Sequence, residues 1–538
     1  MASISQILVS FLATLGAYAL YKIANFFYFN WTSPLRELPG PPSSSIIYGN
    51  MKEIWHAENS VLHEKWVEEY GSTITYKSIL GLPRLYTTDT KALNHILMNS
   101  YTYQKPESAR FGLSRIVGPG VLVVEGEKHK QQRRIMNPAF GAVQIRELTE
   151  IFLRDIWAAE SSKEGSNGKI EILSWLSRMT LDVIGLAGFS YKFNALTEDP
   201  KTNELNKAFS TIFRSGTRMS LIPIIRGMVP ALRWLPADRD AEVKLASRTM
   251  ERIGAELLRD SKAAVQKESL ENGKAQSKDT WRRRDLLSLL LKANMATDLP
   301  PSQRMSDADV VAQVPTFLVA GHETTSTATT WALYALTQNL EAQKKLREEL
   351  LAVDTENPTM DQLNALPYLD AVVRETLRVH APVPSTMRMA VHDDVLPLGE
   401  PVRNKNGEMV DSIKVVKGQT FLIPILAMNR AKHIWGEDSF EFKPERWEKV
   451  PEAASSIPGI WGNMLTFLGG PHACIGYRFS LVETKALLFT LIRAFEFELA
   501  VPNDDIMKKS GLVQRPLLRS DPEAGNQMPL ILKPVKAQ

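Results

Sequence analysis

The chain has 538 residues, 44% of them hydrophobic and 23% charged. That balance is ordinary for a globular protein and argues against wholesale disorder or a polytopic membrane protein. Its 64 Lys+Arg exceed its 60 Asp+Glu by only 4, too little to argue for a nucleic-acid partner, and its single cysteine rules out an internal disulfide.

Residues 1–21 carry no charged side chain, and 4–21 are mostly Ile, Leu, Val, Phe and Ala. As a helix that stretch spans ~27 Å, about the hydrocarbon thickness of an endoplasmic-reticulum membrane. Lys22 follows, then the aromatics Phe26, Phe27, Tyr28, Phe29 and Trp31, then Arg36. Aromatics beside cations suit a membrane–water interface. Ala17-Tyr18-Ala19 resembles a signal-peptide cleavage site, but no Lys or Arg precedes the apolar run. Positive charge after the run puts the N-terminus in the lumen and the body in the cytosol. The expectation is a retained, single-pass anchor over 1–22, a linker and hinge over 23–42 ending in Leu38-Pro39-Gly40-Pro41-Pro42, and one large body over 43–538. On the cytosolic side the sequon Asn30-Trp31-Thr32 stays unused.

Within the body, 73–79 and 84–88 read as a hairpin with Gly81-Leu82-Pro83 at its turn. Apolar residues recur at three- and four-residue spacing over 307–337, 341–351, 369–380 and 479–495, which predicts helices. The polar stretch 262–284, with Asn272-Gly273, reads as a mobile surface loop. Strand-like runs return at 413–416 and 420–425. The predicted class is mainly α with small β-sheets.

Several motifs fail on inspection. His322-Glu323 would open a zinc-protease HExxH helix, but Ser326 stands where the second histidine belongs. Gly118-Pro119-Gly120 starts like a dinucleotide fingerprint, yet Val123 and the lack of a βαβ unit end that reading. No GK[ST] phosphate loop or GxSxG elbow is present.

The lone cysteine lies in Phe467-Leu468-Gly469-Gly470-Pro471-His472-Ala473-Cys474-Ile475-Gly476, just before a predicted helix. The positive end of a helix dipole and its free N–H groups stabilise a thiolate there. Flanking glycines let the backbone approach something flat and bulky. This segment resembles the haem-thiolate signature of the cytochrome P450 family, F-x-x-G-x-[RH]-x-C-x-G, at every fixed position, with His472 in place of the usual arginine. Three more segments follow the family's order: Gly126-Glu127-Lys128-His129 to Arg134, Ala320-Gly321-His322-Glu323-Thr324-Thr325, and Glu375-Thr376-Leu377-Arg378.

The resemblance implies a P450 fold, from the Pro39 hinge to the C-terminus, around haem b. It implies Cys474 as the iron's thiolate ligand, with Phe467, Gly470 and Gly476 shaping the ligand loop. His472, His129, Arg133 and Arg388 would serve the haem, the first and third by its propionates. Glu375 and Arg378 would lock to Arg446. Glu323 and Thr324 would deliver protons where the helix opens at Gly321. Pro315 departs from the family's pattern: inside that helix it removes a backbone hydrogen bond, and a kink is expected there. The activity implied is monooxygenation of a lipophilic substrate, a lanostane-type triterpenoid foremost among terpenoids, as in basidiomycete specialised metabolism. The pocket would include Phe111, Phe317, Val319, Ala320, Val383 and Leu512. Electrons would come from NADPH–cytochrome P450 reductase, with Lys128, Lys130, Arg133 and Arg134 as docking candidates. The rival readings are a haem-thiolate isomerase or dehydratase acting on a peroxide, and a haem-binding protein without turnover. Thr324 and Glu323 count against both.

Overall fold

A computed structural model describes residues 4–146, 168–196, 204–213, 221–237, 240–271, 285–295 and 304–535. In chain order the elements that matter for function are α1 (Ile4–Thr32), β1 (Thr73–Lys77), β2 (Pro83–Thr87), β3 (Tyr103–Gln104), α2 (Glu107–Val117), α3 (Gly126–Met136), β4 (Lys169–Glu171), α4 (Ile172–Phe189), α5 (Glu204–Phe213) and α6 (Asp240–Glu271). There follow α7 (Asp307–Gln338), α8 (Leu340–Leu351), α9 (Pro367–Val379), β5 (Thr386–Ala390), β6 (Asp394–Arg403), β7 (Met409–Val415), β8 (Thr420–Ile423), α10 (Tyr477–Ala494), β9 (Phe495–Leu499), β10 (Ile506–Ser510), β11 (Gln514–Leu518) and β12 (Pro529–Pro534).

The fold is mainly helical around α7. Ser306 caps its N-terminus by accepting a hydrogen bond from the Asp309 N–H at 3.1 Å, and Asp307 and Asp309 place negative charge in the first turn. Nearly all of its side chains from Val310 to Leu336 are buried, as befits a helix packed on every side. α4, α6, α9 and α10 surround it. α4 is apolar enough to cross a membrane by composition, but most of it is buried here as a core helix. The sheets are small. The largest has the order β1-β2-β8-β5-β3, with β2 and β8 parallel and the other pairs antiparallel. The expected hairpin is β1–β2, pairing Thr73 with Thr87 and Lys77 with Pro83.

Three details differ from the sequence reading. α1 does not stop near Lys22 but continues as helix through the aromatic cluster to Thr32. Residues 262–271 are not loop: they extend α6, and the Lys, Ala, Gln and Glu that make up most of that stretch are good helix formers. The remainder of that stretch, 272–284, lies outside the described residues. Finally, α7 runs unbroken through Pro315 and Gly321, so the helix does not open at Gly321. Thr316, beside the proline, donates to Ala312 O (3.3 Å) and to Val117 O (3.2 Å), tying this turn to the end of α2.

Candidate functional site

The cysteine loop is shaped by backbone contact. Leu468 and Gly470 adopt left-handed φ values of 55° and 69°. A Cβ on Gly470 would sit 2.3 Å from Leu97 O, and one on Gly469 would sit 1.8 Å from Pro458 O, so both positions require glycine. A Cβ on Gly476 would meet only Phe140, at 3.8 Å. The Cys474 N–H donates to Phe467 O at 2.9 Å, closing the loop, and α10 starts three residues on. Phe467 is buried and packs edge-on against Trp461. The thiol itself is accessible, yet burial by surrounding protein pushes it up, opposed by the Gly476 N–H and the Arg133 charge.

α7 presents one open turn. In its buried middle, Ala320 is exposed and Thr324, one turn on, is partly exposed. The Thr324 hydroxyl donates to Ala320 O at 2.7 Å. Phe317 and Val319, expected in the pocket lining, are buried in the core instead, Phe317 edge-on to Phe140.

Glu323 points elsewhere, because adjacent helical residues diverge by ~100°. Its buried carboxylate pairs with Arg515 on β11 and lies 3.0 Å from His322 Nε2. Burial alone would raise its pKa, but the Arg515 and His322 charges outweigh burial and hold it below the usual carboxylate range. The structure therefore does not join Glu323 and Thr324 by a direct hydrogen bond. His322 in turn packs against Phe209 of α5, ring centroids 4.3 Å apart, and its carbonyl accepts from Thr180 of α4 at 3.0 Å.

A second cluster gathers beside the cysteine loop. His472 Nε2 lies 2.9 Å from Glu125 and stacks on His129 at 3.9 Å. Lys105 reaches the same carboxylate, 3.2 Å from Nζ and 3.1 Å from its backbone N–H. Arg133 donates to Ala473 O at 2.8 Å. Arg388 is 2% exposed and donates to Met387 O at 2.8 Å. Burial lowers Lys105 to about 8 and His129 to about 3, and it also lowers His472. Burial works against Glu125, but its His472 and Lys105 partners bring it to about 2.

The third cluster is fully buried. Arg378 forms a fork with Glu375, Nε to Oε2 at 2.8 Å and Nη2 to Oε1 at 2.7 Å, and both are 0% exposed. Arg446 approaches Glu375 at 3.4 Å and donates to Asp438 at 2.8 Å. Trp447 Nε1 and the Lys443 N–H complete the carboxylate's partners, at 3.1 and 2.9 Å.

A family model described as Cytochrome P450 matches residues 39–520. The chain belongs to the cytochrome P450 family. It is 59% identical over 510 residues to "Cytochrome P450 monooxygenase 205" of Postia placenta, covering 94% of this chain and 93% of that one. It is 55% identical over 529 residues to "Cytochrome P450 monooxygenase 128" of the same fungus, covering 97% and 96%. A ganoderic acid synthetase of Ganoderma lucidum is 34% identical over 494 residues, covering 87% and 88%. This protein is a cytochrome P450 monooxygenase.

P450s bind haem, and the residues of this P450 fit one. Lys105 and Arg388 lie beside the Glu125 carboxylate, and Arg133 lies beside Cys474. Buried cations on this side of the cysteine loop suit the propionates of a haem. The accessible thiol and the Gly469–Gly470 close approach fit a soft metal ligand on a loop without room to shift.

Sequence reasoning missed Glu125, and it placed Lys105 and Arg515 only within the expected pocket lining of 101–121 and 511–515, not as charge partners. Glu125 stands directly before the Gly126 motif and could have been read with it. Lys105 and Arg515 lie 20 and 192 residues from their partners, with no local pattern to mark them. Two of the four docking candidates are engaged: Lys128 pairs with Asp309 at 2.7 Å, and Arg133 turns in to Ala473. Lys130 and Arg134 remain exposed on one face of α3.

Proposed function

We propose that this P450 oxidises a lipophilic terpenoid, with a lanostane-type triterpenoid foremost, in fungal specialised metabolism. The carrying observation is the 34% identity over 87% of the chain to a ganoderic acid synthetase. Electrons reach it from NADPH through cytochrome P450 reductase, which docks at Lys130 and Arg134 by opposite charge. α1 spans the endoplasmic-reticulum membrane once and leaves the catalytic body in the cytosol; its 29 residues and wholly unburied surface support this.

When bound, haem b supplies activation of dioxygen and insertion of one oxygen atom into a C–H or C=C bond, the other leaving as water. Cys474 would hold the iron as a thiolate. Arg133, Arg388, Lys105 and His472 would hold the propionate edge, with Glu125 fixing Lys105 and His472. Thr324 passes a proton at the open face of α7, and Glu323, kept ionised by Arg515, resupplies it from behind that face. Glu375, Arg378 and Arg446 keep α9 in register with the segment that precedes the cysteine loop. The test is turnover in reductase-containing microsomes against a panel of terpenoids and sterols, with products identified by mass. A product one oxygen heavier from a triterpenoid is expected. Oxidation confined to other lipophiles would refute the substrate class.

A further inference from the structure

A groove of about 660 Å³ opens where α1 meets the body. One wall is the end of α1 and the turn after it, with Trp31, Thr32, Ser33 and Arg36. The other is β7, whose alternate residues Val410, Ser412 and Lys414 share a face. The junction is fixed. Ser33 accepts from Gln419 at 2.9 Å, and Leu35 is 0% exposed in the core.

Among the lining residues cations outnumber carboxylates, Arg36 and Lys414 against Glu37. Arg36 and Lys414 line the groove, and Lys405 donates to Arg36 O at 3.0 Å. Burial lowers Lys77, and next in size come the charges of Arg36 and Lys405; Lys405 is likewise lowered by burial and then by Arg36. Arg36, Lys405 and Lys77 crowd one another. Among the described residues, none of the four forms an ion pair, although the rest of the surface pairs its charges widely. Glu37 is the only carboxylate lining the groove. Crowded, unpaired cations cost free energy unless an anion joins them. Immediately above them, on the last turns of α1, Phe27, Tyr28 and Trp31 are 64%, 68% and 78% exposed, the pattern of a headgroup-level belt.

We infer that this groove binds the phosphate headgroup of an anionic phospholipid, held by Arg36, Lys405 and Lys414, with Trp31 against the glycerol and upper acyl chain. The inference rests on the membrane reading of α1. A lipid is favoured over free phosphate because the cations adjoin an exposed aromatic belt on an apolar helix, where a headgroup is already delivered at high local concentration.

The experiment uses the full chain in nanodiscs of phosphatidylcholine with one-fifth phosphatidylserine, then mild detergent extraction and native mass spectrometry of retained lipid. Phosphatidylserine should be enriched over its share of the bilayer. Lys405→Gln with Lys414→Gln should lower the retained phosphatidylserine-to-phosphatidylcholine ratio by on the order of tenfold, at about fivefold per cation at most, toward the ratio of the bilayer. Lys344→Gln, on an exposed face of α8, should not. The double variant should keep its unfolding temperature and still float with vesicles. Equal retention of both lipids by the unmutated chain, or unchanged enrichment in the double variant, overturns the headgroup site alone. Displacement of the lipid by millimolar inorganic phosphate assigns the groove to free phosphate and also overturns it. Failure of the full chain to float with any vesicle overturns the anchor reading and the site with it.

Discussion

Glu323 on α7 and Arg515 on β11 form a buried ion pair that ties the oxygen-side helix to the C-terminal hairpin. Trp331 adds a second tie by donating to Gln514 O at 2.8 Å. The hairpin tip, with Val513 6% exposed, therefore moves with the middle of α7 or not at all.

Arg515→Gln should destabilise the protein by about 3–5 kcal/mol at neutral pH, because Glu323 would keep a buried charge with only His322 beside it. The sign with pH is fixed by the lowered pKa of Glu323. The contribution of the pair is present above the unfolded carboxylate value of about 4.3 and is lost as pH falls through the lower folded value. Thermal unfolding of both proteins across pH should show the gap shrinking in acid. A gap constant with pH would mean that the pair is not what Arg515 contributes.

Arg378→Ala should cost about 3–5 kcal/mol and yield little folded protein, since it strands Glu375. It also leaves Asn429 O, Ser439 O and Glu441 O without donors that now reach them at 3.1, 2.5 and 3.0 Å. Arg378→Lys should rescue poorly, because an ammonium cannot reproduce the planar fork. Soluble yield and haem content per chain measure both.

Thr324→Ala should leave haem content and the carbon-monoxide spectrum intact while uncoupling the reaction. Product per NADPH should fall by at least ~10-fold, given the ~10²–10⁴ that positioned proton transfer contributes, with hydrogen peroxide making up the balance. The hydrogen bond to Ala320 O offers a purely structural role for the hydroxyl. An unchanged product-to-NADPH ratio would favour that role and remove Thr324 from the mechanism.

Removing the anchor should depend on where the cut falls. Of the described residues, deletion of 1–32 takes away only exposed or partly exposed helix, Ile4–Thr32. Deletion of 1–36 also removes Leu35, 0% exposed, and should cost a further ~2–5 kcal/mol by leaving a cavity. Unfolding temperatures of the two truncated chains, compared with the full chain, decide this.

Local chemistry explains what the sequence made legible. The cysteine loop stood out because one thiol sits among glycines that only a close backbone approach requires. Glu375 and Arg378 were legible because an i, i+3 pair meets on any helix, and their partner Arg446 came from the family pattern. Long-range partners were not legible. Arg515 reaches Glu323 across 192 residues, and nothing in the spacing of either announces the other. The burial of Phe317 and Val319 is hidden for a related reason. On a helix packed on every side, apolar residues do not reveal which face meets a cavity. The end of α6 misled because polarity was taken for loop, whereas Lys, Glu and Gln are good helix formers.

The central claim is that Cys474 holds the haem iron as a thiolate. The most direct measurement is the ferrous carbon-monoxide difference spectrum of the full chain and of Cys474→Ser, each normalised to bound haem. The account predicts the red-shifted thiolate band in the unmutated protein and its complete loss in Cys474→Ser. Persistence of that band in the variant would contradict the assignment, since the chain has no other cysteine to supply it.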